Sequence, residues 1–258
     1  MTDHLESNRT AWDHRVKVHL DSQFYDVPGF LAGASSLNPI ELELLGPLQG
    51  QRLLHLQCHF GLDSLSCARL GAEVTGVDLS PEGVHQARQL AQQAKLEAEF
   101  VCADVFDYLA QVEPTFDRVL VSYGALCWLP SLAPWAEGIA RALKPGGRLV
   151  LVEFHPLIDL MAGYGYFHRP EPDWEEEGTY TENCPGETHP MACWVHNIGE
   201  VAQALRSAGL TLESLGEHAV SPYPCFDGMT AVEGGYVQLH QGHPKPLLYH
   251  LVATKPES

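Results

Sequence analysis

The chain has 258 residues, 45% of them hydrophobic, and a formal net charge of −18 from 33 acidic and 15 basic residues. This length supports one domain with a substantial core, and the acidic balance disfavours binding to a nucleic-acid backbone. No apolar stretch is long enough to cross a bilayer, the N-terminus lacks the apolar run of a secretory signal, and the seven cysteines form no close pair, so a cytoplasmic protein with reduced cysteines is expected.

The N-terminal segment, residues 1–38, precedes the first predicted strand and contains Trp12, Phe24, Tyr25 and Phe30. One interpretation is an ordinary flanking helix. The aromatic content also suggests the hypothesis that this segment closes over a ligand.

Residues 51–153 alternate short apolar runs with amphipathic segments, which is typical of a parallel sheet covered by helices. The apolar runs are rich in Val and Leu, as expected for strands buried on both faces. The pattern predicts five strands, at residues 52–56, 73–77, 98–102, 118–121 and 148–152.

The intervening segments predict helices. Ser80, Pro81 and Glu82 supply an N-cap, a first-turn proline and a first-turn acid for one helix. A second helix is predicted to begin near Leu62. A third runs from about Leu132 to Leu143, and the Lys-Pro-Gly-Gly run that follows is predicted to end it and to turn into the next strand.

After the fifth strand the alternation stops, and residues 156–196 are rich in Pro, Gly, aromatic and acidic residues. A long irregular insertion inside a compact domain is more often a lid or binding segment than a linker. A helix at 198–208 and strands at 210–215 and 247–253 follow. These two strands complete a seven-stranded sheet if they pair at one edge.

Polar and glycine residues follow the first three predicted strands, where ligands bind in open parallel sheets. The first strand leads through residues 57–61 directly into a helix. Asp78 follows the second strand, where an acid can accept hydrogen bonds from both ribose hydroxyls. Asp104 follows the third, where it can accept one from the exocyclic amine of adenine. A single Asp after a strand is usually only a cap or turn residue, but the regular repetition favours one shared nucleoside site.

These features resemble the landmarks of class I S-adenosylmethionine-dependent methyltransferases. Residues 53–61 correspond to the family's glycine-rich turn, and Asp78 and Asp104 to its acids after the second and third strands; the runs at 116–121 and 143–149 also look like family landmarks. The resemblance implies an α/β, Rossmann-like fold with a seven-stranded, mostly parallel sheet and helices on both faces, an N-terminal helical segment, and an insertion after strand 5.

The expected layout is a single methyltransferase domain over residues 1–258. It divides into an N-terminal cap segment at 1–38, a cofactor-binding core at 50–155, an insertion or lid at 156–196, and a C-terminal helix and strands at 197–258.

The sequence departs from the family in its first turn. His55, Gln57 and His59 stand where the family usually has an acid and two glycines, and only Gly61 is kept. Side-chain hydrogen bonds from Gln57 and His59 to the methionine carboxylate or amine are predicted to replace close backbone contacts. The alternative is that His55 and His59 only satisfy buried backbone carbonyls. The missing glycines also argue against a dinucleotide, whose pyrophosphate needs closely packed glycine N–H groups.

The resemblance implies S-adenosylmethionine as cofactor and S-adenosylhomocysteine as product. A sulfonium tolerates an acidic and aromatic setting, with cation–π contact available from Trp12, Phe60 or Tyr123. The predicted cofactor-binding residues are His55, Gln57, Cys58, His59, Gly61, Asp78, Leu79, Asp104, Val105, Ser122 and Trp12.

The acceptor pocket is expected near the ends of strands four and five, with Tyr123, Trp128 and His155 as its lining. Methyl transfer from a sulfonium is an in-line displacement, so the protein must align the acceptor and exclude water. Tyr123 and His155 are the predicted catalytic residues for an acceptor that must lose a proton. A structural role for His155 at the start of the insertion is an equal alternative, and Tyr123 and Trp128 are more often pocket wall.

The expected function is methyl transfer to a small-molecule acceptor. A protein or RNA methyltransferase, and a non-catalytic nucleoside-binding or regulatory protein of the same fold, are the open alternatives. No metal is predicted, because the spacing of His155, His168, His189 and His196 matches no known ligand pattern. The run Glu175–Glu177 is expected to be a solvated face, although an acidic lid would also favour a cationic acceptor. Neither a nucleic-acid nor a membrane partner is expected, and the sequence predicts no oligomeric state.

Overall fold

A computed structural model describes residues 3–224 and 226–257 of the chain. Cys225, one of the seven cysteines predicted to be reduced, lies outside the described residues, and the other six are free thiols. Across the described residues, no helix is long and apolar enough to cross a membrane.

The helices include both the predicted core helices and further short ones at the N-terminus and in the insertion. They are α1 (Asp3–His19), α2 (Val27–Leu31), α3 (Pro39–Leu45), α4 (Leu62–Arg69), α5 (Pro81–Ala94), α6 (Val105–Gln111), α7 (Ala133–Ala142), α8 (Leu157–Ala162) and α9 (Ile198–Ser207), with a 3₁₀ turn at Leu126–Trp128. The strands are β1 (Arg52–Leu56), β2 (Glu73–Asp78), β3 (Ala98–Cys102), β4 (Phe116–Ser122), β5 (Leu143–Phe154), β6 (Asp173–Glu177), β7 (His189–Cys193), β8 (Thr211–His218), β9 (Thr230–Val232), β10 (Gly235–Val237), β11 (Leu239–His240), β12 (His243–Pro244) and β13 (Leu248–Thr254).

Seven strands form the central sheet, in the order β3-β2-β1-β4-β5-β13-β8. The first five run parallel, and β13 is antiparallel to both β5 and β8. The predicted Rossmann-like α/β fold is therefore confirmed, and the last two strands do pair with each other at one edge. Because the chain order reverses between β1 and β4, the carboxyl ends of these strands border a crevice.

The core lies on both faces of this sheet. Leu53 and Leu54, adjacent on β1, are both fully buried although they point to opposite faces, and so are Val119 and Leu120 on β4. Burial on both faces explains why these strands are continuous apolar runs in the sequence. Ser80 caps α5 as predicted, since its Oγ accepts a hydrogen bond from the Gly83 N–H at 2.9 Å.

The prediction that residues 144–147 form a turn before the fifth strand is wrong. Strand β5 begins at Leu143, directly after α7, and includes this Lys-Pro-Gly-Gly run. Phe116 on β4 pairs with Leu143 on β5, and Arg118 on β4 pairs with Arg148 on β5. Between these two pairs β4 has one residue and β5 has four, so the pairing is irregular there. Gly146 has φ +75°, a conformation that glycine adopts without steric cost, and the turn-like sequence therefore forms a bulge within a strand.

The N-terminal segment is mostly helical, and the insertion is more regular than predicted. The insertion contains α8 and an antiparallel hairpin of β6 and β7, in which Asp173 pairs with Cys193 and Glu177 with His189. Two further short hairpins, β9–β10 and β11–β12, lie between β8 and β13. None of these hairpins is predicted by the sequence pattern.

Candidate active site

A cavity of about 1050 Å³ lies at the carboxyl ends of β1, β2 and β4. Helix α1 and the hairpin β6–β7 form its opposite wall. They are joined to each other through Asn8, whose Nδ2 donates to the Ala192 carbonyl at 2.9 Å and whose Oδ1 accepts from the Ala192 N–H at 2.8 Å. The two segments predicted as a cap and a lid are thus connected above the strand ends.

The residues predicted to bind the cofactor are brought together by this fold. All of them line the cavity, namely Trp12, His55, Gln57, Cys58, His59, Gly61, Asp78, Leu79, Asp104, Val105 and Ser122. Their individual roles in binding stay predictions.

The turn after β1 keeps a glycine-like backbone without the glycines. Gln57 has φ +54° and His59 φ +53°, both in the left-handed region that costs a non-glycine residue about 1–3 kcal/mol. Gly61 follows with φ +80°, and a Cβ there would lie 2.7 Å from the Phe100 ring. Side chains are therefore tolerated at the first two positions, whereas the third has no room for one.

Contacts of the turn itself hold this conformation. Gln57 Nε2 donates to the Ala125 carbonyl at 2.7 Å, which ties the turn to the loop after β4. The His59 N–H donates to Asp78 Oδ2 at 2.7 Å, and His59 Nε2 lies 2.8 Å from Nδ1 of His19 on α1. His19 also contacts Thr179 beside the insertion hairpin. The turn thus connects the sheet to both segments that cover the cavity.

Asp78 binds backbone as well as lining the cavity. Its Oδ1 accepts from the Ser80 N–H at 2.9 Å, in addition to the bond that Oδ2 accepts from His59. Burial raises the pKa of Asp78 to about 6, against the opposing effect of these backbone hydrogen bonds. Because a carboxylate has about four acceptor positions, further hydrogen bonds from a ligand can be accepted.

Asp104 is the N-cap of α6. Its Oδ1 accepts from the N–H groups of Phe106 and Asp107 at 2.9 and 3.2 Å. The simpler interpretation, a helix cap after a strand, therefore describes its protein contacts. Asp104 also lines the cavity, and burial raises its pKa. One residue can serve both roles, because capping uses only one carboxylate oxygen.

His55, near the end of β1, contacts both helix α4 and the end of β4. Its Nδ1 lies 2.8 Å from Ser64 Oγ, and its Nε2 lies 3.4 Å from Ser122 Oγ. Its partners are hydroxyls rather than the backbone carbonyls of the alternative interpretation. Burial lowers the pKa of His55 to about 4, so the ring is neutral at physiological pH.

Three polar atoms of cavity-lining residues have no protein partner. Gln57 Oε1, His59 Nδ1 and Trp128 Nε1 are buried and make no hydrogen bond to any residue that the structure describes. Trp12 packs edge-on against both His59 and Trp128, at centroid distances of 5.2 and 5.4 Å. Leaving a buried polar atom unpaired costs about 1–3 kcal/mol, so these atoms are suited to a polar ligand.

The acceptor side of the cavity is aromatic. Tyr123 and Trp128 line it as predicted. Tyr123 packs edge-on against Tyr223 at 5.2 Å and also contacts Phe154 at 5.8 Å, while Phe154 contacts Phe226 at 5.4 Å. The backbone of Tyr123 is left-handed, with φ +43°.

His155 is not where the sequence analysis placed it. Among the described residues that line the cavity, Phe154 is present and His155 is not. His155 Nε2 lies 2.7 Å from Glu217 Oε1, and its Nδ1 accepts from the Leu157 N–H at 3.1 Å. His155 therefore lies outside the cavity lining where the pocket was predicted, and its contacts agree with the structural alternative at the start of the insertion. Its catalytic role stays a prediction.

Two buried carboxylates near the cavity were missed. Glu153 accepts hydrogen bonds from the N–H groups of residues 124–126 and so fixes the loop after β4. An acid at the end of an apolar strand is a signal that could have identified it. Glu41 is fully buried on α3, and Asn38 Nδ2 lies 3.0 Å from its Oε1 and 3.5 Å from the Tyr123 hydroxyl. Burial, together with the Asp63 carboxylate, raises the pKa of Glu41 to about 7.

The sheet order, the crevice and the acids at successive strand ends define a nucleoside-binding α/β protein of the Rossmann-like class. Comparison with known proteins narrows this class. A family model described as a methyltransferase domain matches residues 54–151. A ubiquinone biosynthesis O-methyltransferase from Xanthomonas euvesicatoria is 31% identical over 209 residues, which cover 79% of this chain and 82% of that protein. A ubiquinone biosynthesis O-methyltransferase from Xylella fastidiosa is 29% identical over 231 residues, which cover 83% of this chain and 88% of that protein.

Solved structures agree on the fold. An S-adenosylmethionine-dependent methyltransferase from Methanosarcina mazei has a TM-score of 0.63 at 21% identity, covering 86% of this chain and 99% of that one. A DhpI complex with S-adenosylhomocysteine has a TM-score of 0.61 at 16% identity, and the match covers 99% of this chain and 98% of that one. The chain therefore belongs to the class I S-adenosylmethionine-dependent methyltransferases, and it is an enzyme with S-adenosylmethionine as its cofactor.

Proposed function

We propose that this enzyme methylates a small molecule that binds beside the cofactor in the cavity. The observation that carries the proposal is the size of this cavity between the strand ends and the wall formed by α1 and the hairpin β6–β7. Its volume of about 1050 Å³ exceeds the range of about 300–1,000 Å³ typical of a pocket for one drug-sized ligand. This volume leaves room for a small acceptor beside S-adenosylmethionine. Helix α1 and the hairpin β6–β7 form the wall through which a folded protein or RNA would have to reach the methyl group.

The unpaired polar atoms fit the amino-acid end of the cofactor. Gln57 Oε1 can only accept and suits the ammonium group, whereas Trp128 Nε1 can only donate and suits the carboxylate. His59 Nδ1 can do either, according to the tautomer of the ring. In this arrangement Asp78 accepts from the ribose hydroxyls and Asp104 from the adenine amine. The bound cofactor supplies an electrophilic methyl group on its sulfonium.

The wall around Tyr123 favours an acceptor with a flat, apolar body. Four aromatic side chains line this part of the cavity, namely Tyr123, Phe154, Tyr223 and Phe226. Aromatic rings in offset or edge-on contact stabilise a planar ligand beyond simple burial of its area. The net charge of −18 disfavours RNA as the acceptor, since a phosphate backbone would be repelled.

The buried carboxylate behind Tyr123 favours a hydroxyl as the methylated group. A hydroxyl must lose its proton as it attacks, and a base is most effective when its pKa is near the working pH. Glu41, whose pKa is about 7, lies behind the wall, and Asn38 bridges it to the Tyr123 hydroxyl. In the proposal the Tyr123 hydroxyl contacts the acceptor and takes the acceptor's proton as its own proton passes to the Glu41 carboxylate, with which Tyr123 hydrogen-bonds. Asn38 only donates and orients the two groups. The ubiquinone biosynthesis relatives are named as O-methyltransferases, which agrees with this assignment.

The test is a methyl-transfer assay with methyl-labelled S-adenosylmethionine. Separate reactions contain a panel of phenols and catechols, a panel of amines and thiols, total RNA, and unfolded protein. We expect label in a phenolic acceptor and stoichiometric release of S-adenosylhomocysteine. Tyr123→Phe is expected to lower kcat by about 100-fold with unchanged affinity for S-adenosylmethionine. Tyr166→Phe serves as the control, because Tyr166 lies in the insertion and does not line the cavity among the described residues.

Label appearing in RNA or protein and in none of the small molecules would contradict the proposed acceptor class. Label in amines or thiols alone would contradict the hydroxyl assignment while leaving the small-molecule proposal intact. Equal kcat for Tyr123→Phe and Tyr166→Phe with a hydroxyl acceptor would exclude the role of Tyr123.

A further inference from the structure

Three side chains of the types that bind metals converge where the insertion leads into α9. His168 lies in the insertion, His196 just before α9, and Glu200 in the first turn of that helix. One ligand atom from each lies within 4.8 Å of the other two. Within the part of the chain that the structure describes, none of the three lines the cavity. The cluster, which we term the α9 cluster, is therefore separate from the methyl-transfer site.

The hydrogen bond of His196 fixes which of its nitrogens is free. Its Nε2 lies 2.8 Å from the Leu129 carbonyl oxygen. A carbonyl oxygen only accepts, so Nε2 carries the hydrogen. In the tautomer with its hydrogen on Nε2, Nδ1 is an unprotonated acceptor. This Nδ1 lies 3.3 Å from Glu200 Oε1, which is also an acceptor.

The other ligand atoms of the α9 cluster also lack donors. His168 Nδ1 and Glu200 Oε2 are buried without a hydrogen-bond partner among residues 3–224 and 226–257. Each buried polar atom left without a partner costs about 1–3 kcal/mol. A cation bound between these side chains would give the unpaired atoms a partner. It would also offset the repulsion between the lone pairs of His196 Nδ1 and Glu200 Oε1.

We propose that His168, His196 and Glu200 bind a divalent transition-metal ion, with Zn²⁺ as the expected occupant. Two imidazoles and one carboxylate form a ligand set that Zn²⁺ commonly takes, with a fourth position left for water. The bond from His196 Nε2 to the Leu129 carbonyl is the kind of outer contact that orients a metal-binding histidine.

Binding requires a small contraction of the α9 cluster. Bonds of about 2.0–2.2 Å to a tetrahedral ion place ligand atoms about 3.4 Å apart, closer than the present limit of 4.8 Å. The His168 and His196 rings are stacked, with an interplanar angle of 13° and a centroid distance of 4.8 Å, so their in-plane lone pairs do not yet meet at one point. The proposal requires the His168 and Glu200 side chains, which are less buried than His196, to rotate towards a common point.

The site would strengthen the wall of the cavity. His168 belongs to the insertion, Glu200 to α9, and the Leu129 carbonyl follows the 3₁₀ turn that carries Trp128. Trp194, next to this region, lines the cavity, and its Nε1 donates to the Pro170 carbonyl at 3.1 Å. A metal ion at the α9 cluster would therefore fix the insertion to the body of the fold. Its role is structural, because no residue of the cluster contacts the cavity space.

The test is zinc binding by the untagged, chelator-treated full chain, measured by competition with a chromophoric zinc chelator near pH 7.5. We expect one tightly bound Zn²⁺ per chain and a rise in Tm when zinc is added. His168→Ala and Glu200→Gln are each expected to lower zinc affinity at least about tenfold and to abolish the Tm increase. Glu200→Gln keeps the shape of the side chain, so it reports on the ligand charge if His168→Ala folds poorly.

The chain offers a matched control in a second cluster, His14, Glu187 and His189, which is more exposed. His189→Ala is expected to leave the tight site unchanged. Equal zinc affinity for Glu200→Gln and the unaltered protein would overturn the proposal. Loss of the tight site in His189→Ala alone, or the absence of any tight site in the unaltered protein, would overturn it as well.

Discussion

Replacing Glu41 by glutamine is expected to stabilise the protein at alkaline pH and to change its stability little in mild acid. Glu41 is fully buried, and burial raises its pKa from the ordinary 4.5 to about 7. Between these values the unfolded chain has released the proton while the folded protein still holds it. Stability attributable to Glu41 is therefore fully present below the unfolded pKa, declines as the pH rises from about 4.5 to 7, and is then constant.

The magnitude follows from the two pKa values. At about 1.4 kcal/mol per pKa unit, the difference between 4.5 and about 7 corresponds to about 3 kcal/mol, of which about 2 to 3 kcal/mol develops between pH 5 and pH 8. Glutamine has no proton to lose, and its amide oxygen can still accept the bond from Asn38 Nδ2. The stability gain of Glu41→Gln over the unaltered protein should grow by this amount across that range.

Urea denaturation followed by circular dichroism at pH 5 and pH 8 measures the gain directly. Glu43→Gln is the matched control, because Glu43 is exposed on the same helix, and it should show no comparable pH dependence. Comparing variants at each pH removes the contributions of other buried acids such as Asp78, which are common to all three proteins. A difference between Glu41→Gln and the unaltered protein that is equal at both pH values would refute the reasoning.

Three further predictions concern the cavity and its wall. Asp78→Asn should weaken S-adenosylmethionine binding about 10- to 100-fold by calorimetry, whereas Asp107→Asn, a change at an exposed position, should not; unchanged affinity for both would contradict the ribose assignment. Glu153→Gln should lower the free energy of unfolding in urea by about 1 to 3 kcal/mol, because a neutral amide cannot replace the carboxylate that accepts several backbone N–H groups; a stability equal to that of the unaltered protein would argue against this role. Asn8→Ala should speed proteolysis within residues 156–196, because the Ala192 N–H and carbonyl lose their partners on α1; an unchanged cleavage rate would show that α1 does not hold the hairpin.

The central sheet could be predicted because its strands are buried on both faces and therefore appear as continuous apolar runs. The hairpin β6–β7 could not be predicted from the sequence. Its first strand reads Asp-Trp-Glu-Glu-Glu, and the structure leaves Trp174 half exposed at 51%, so no apolar alternation marks it. One of its contacts with α1 is made by Asn8, which is 184 residues from Ala192, and a contact over such a distance leaves no local signal.

The site also contains residues that local sequence signals mark and residues that only tertiary packing brings in. Asp78 and Asp104 could be located because each lies at or just beyond the end of a strand, and the parallel order brings these strand ends together. His155 was misplaced by one position, since successive residues at the end of a strand point to opposite sides and Phe154 is the one that reaches the cavity. His19 and Glu41 were missed because they come from the N-terminal helices, whose position over the sheet depends on tertiary packing.

The turn after β1 shows why its departures from the family pattern belong to the site. Gln57 and His59 carry two separate costs: a left-handed backbone of about 1–3 kcal/mol each, and a buried polar atom without a protein partner. Glycine at either position would remove both costs, although it would also lose the contacts of Gln57 with Ala125 and of His59 with His19. Both side chains line the cavity, and a ligand with an ammonium and a carboxylate group would satisfy the unpaired atoms. In the proposed arrangement the stability lost in the free protein would be recovered on binding, and side chains rather than close backbone approach would recognise the cofactor at this turn.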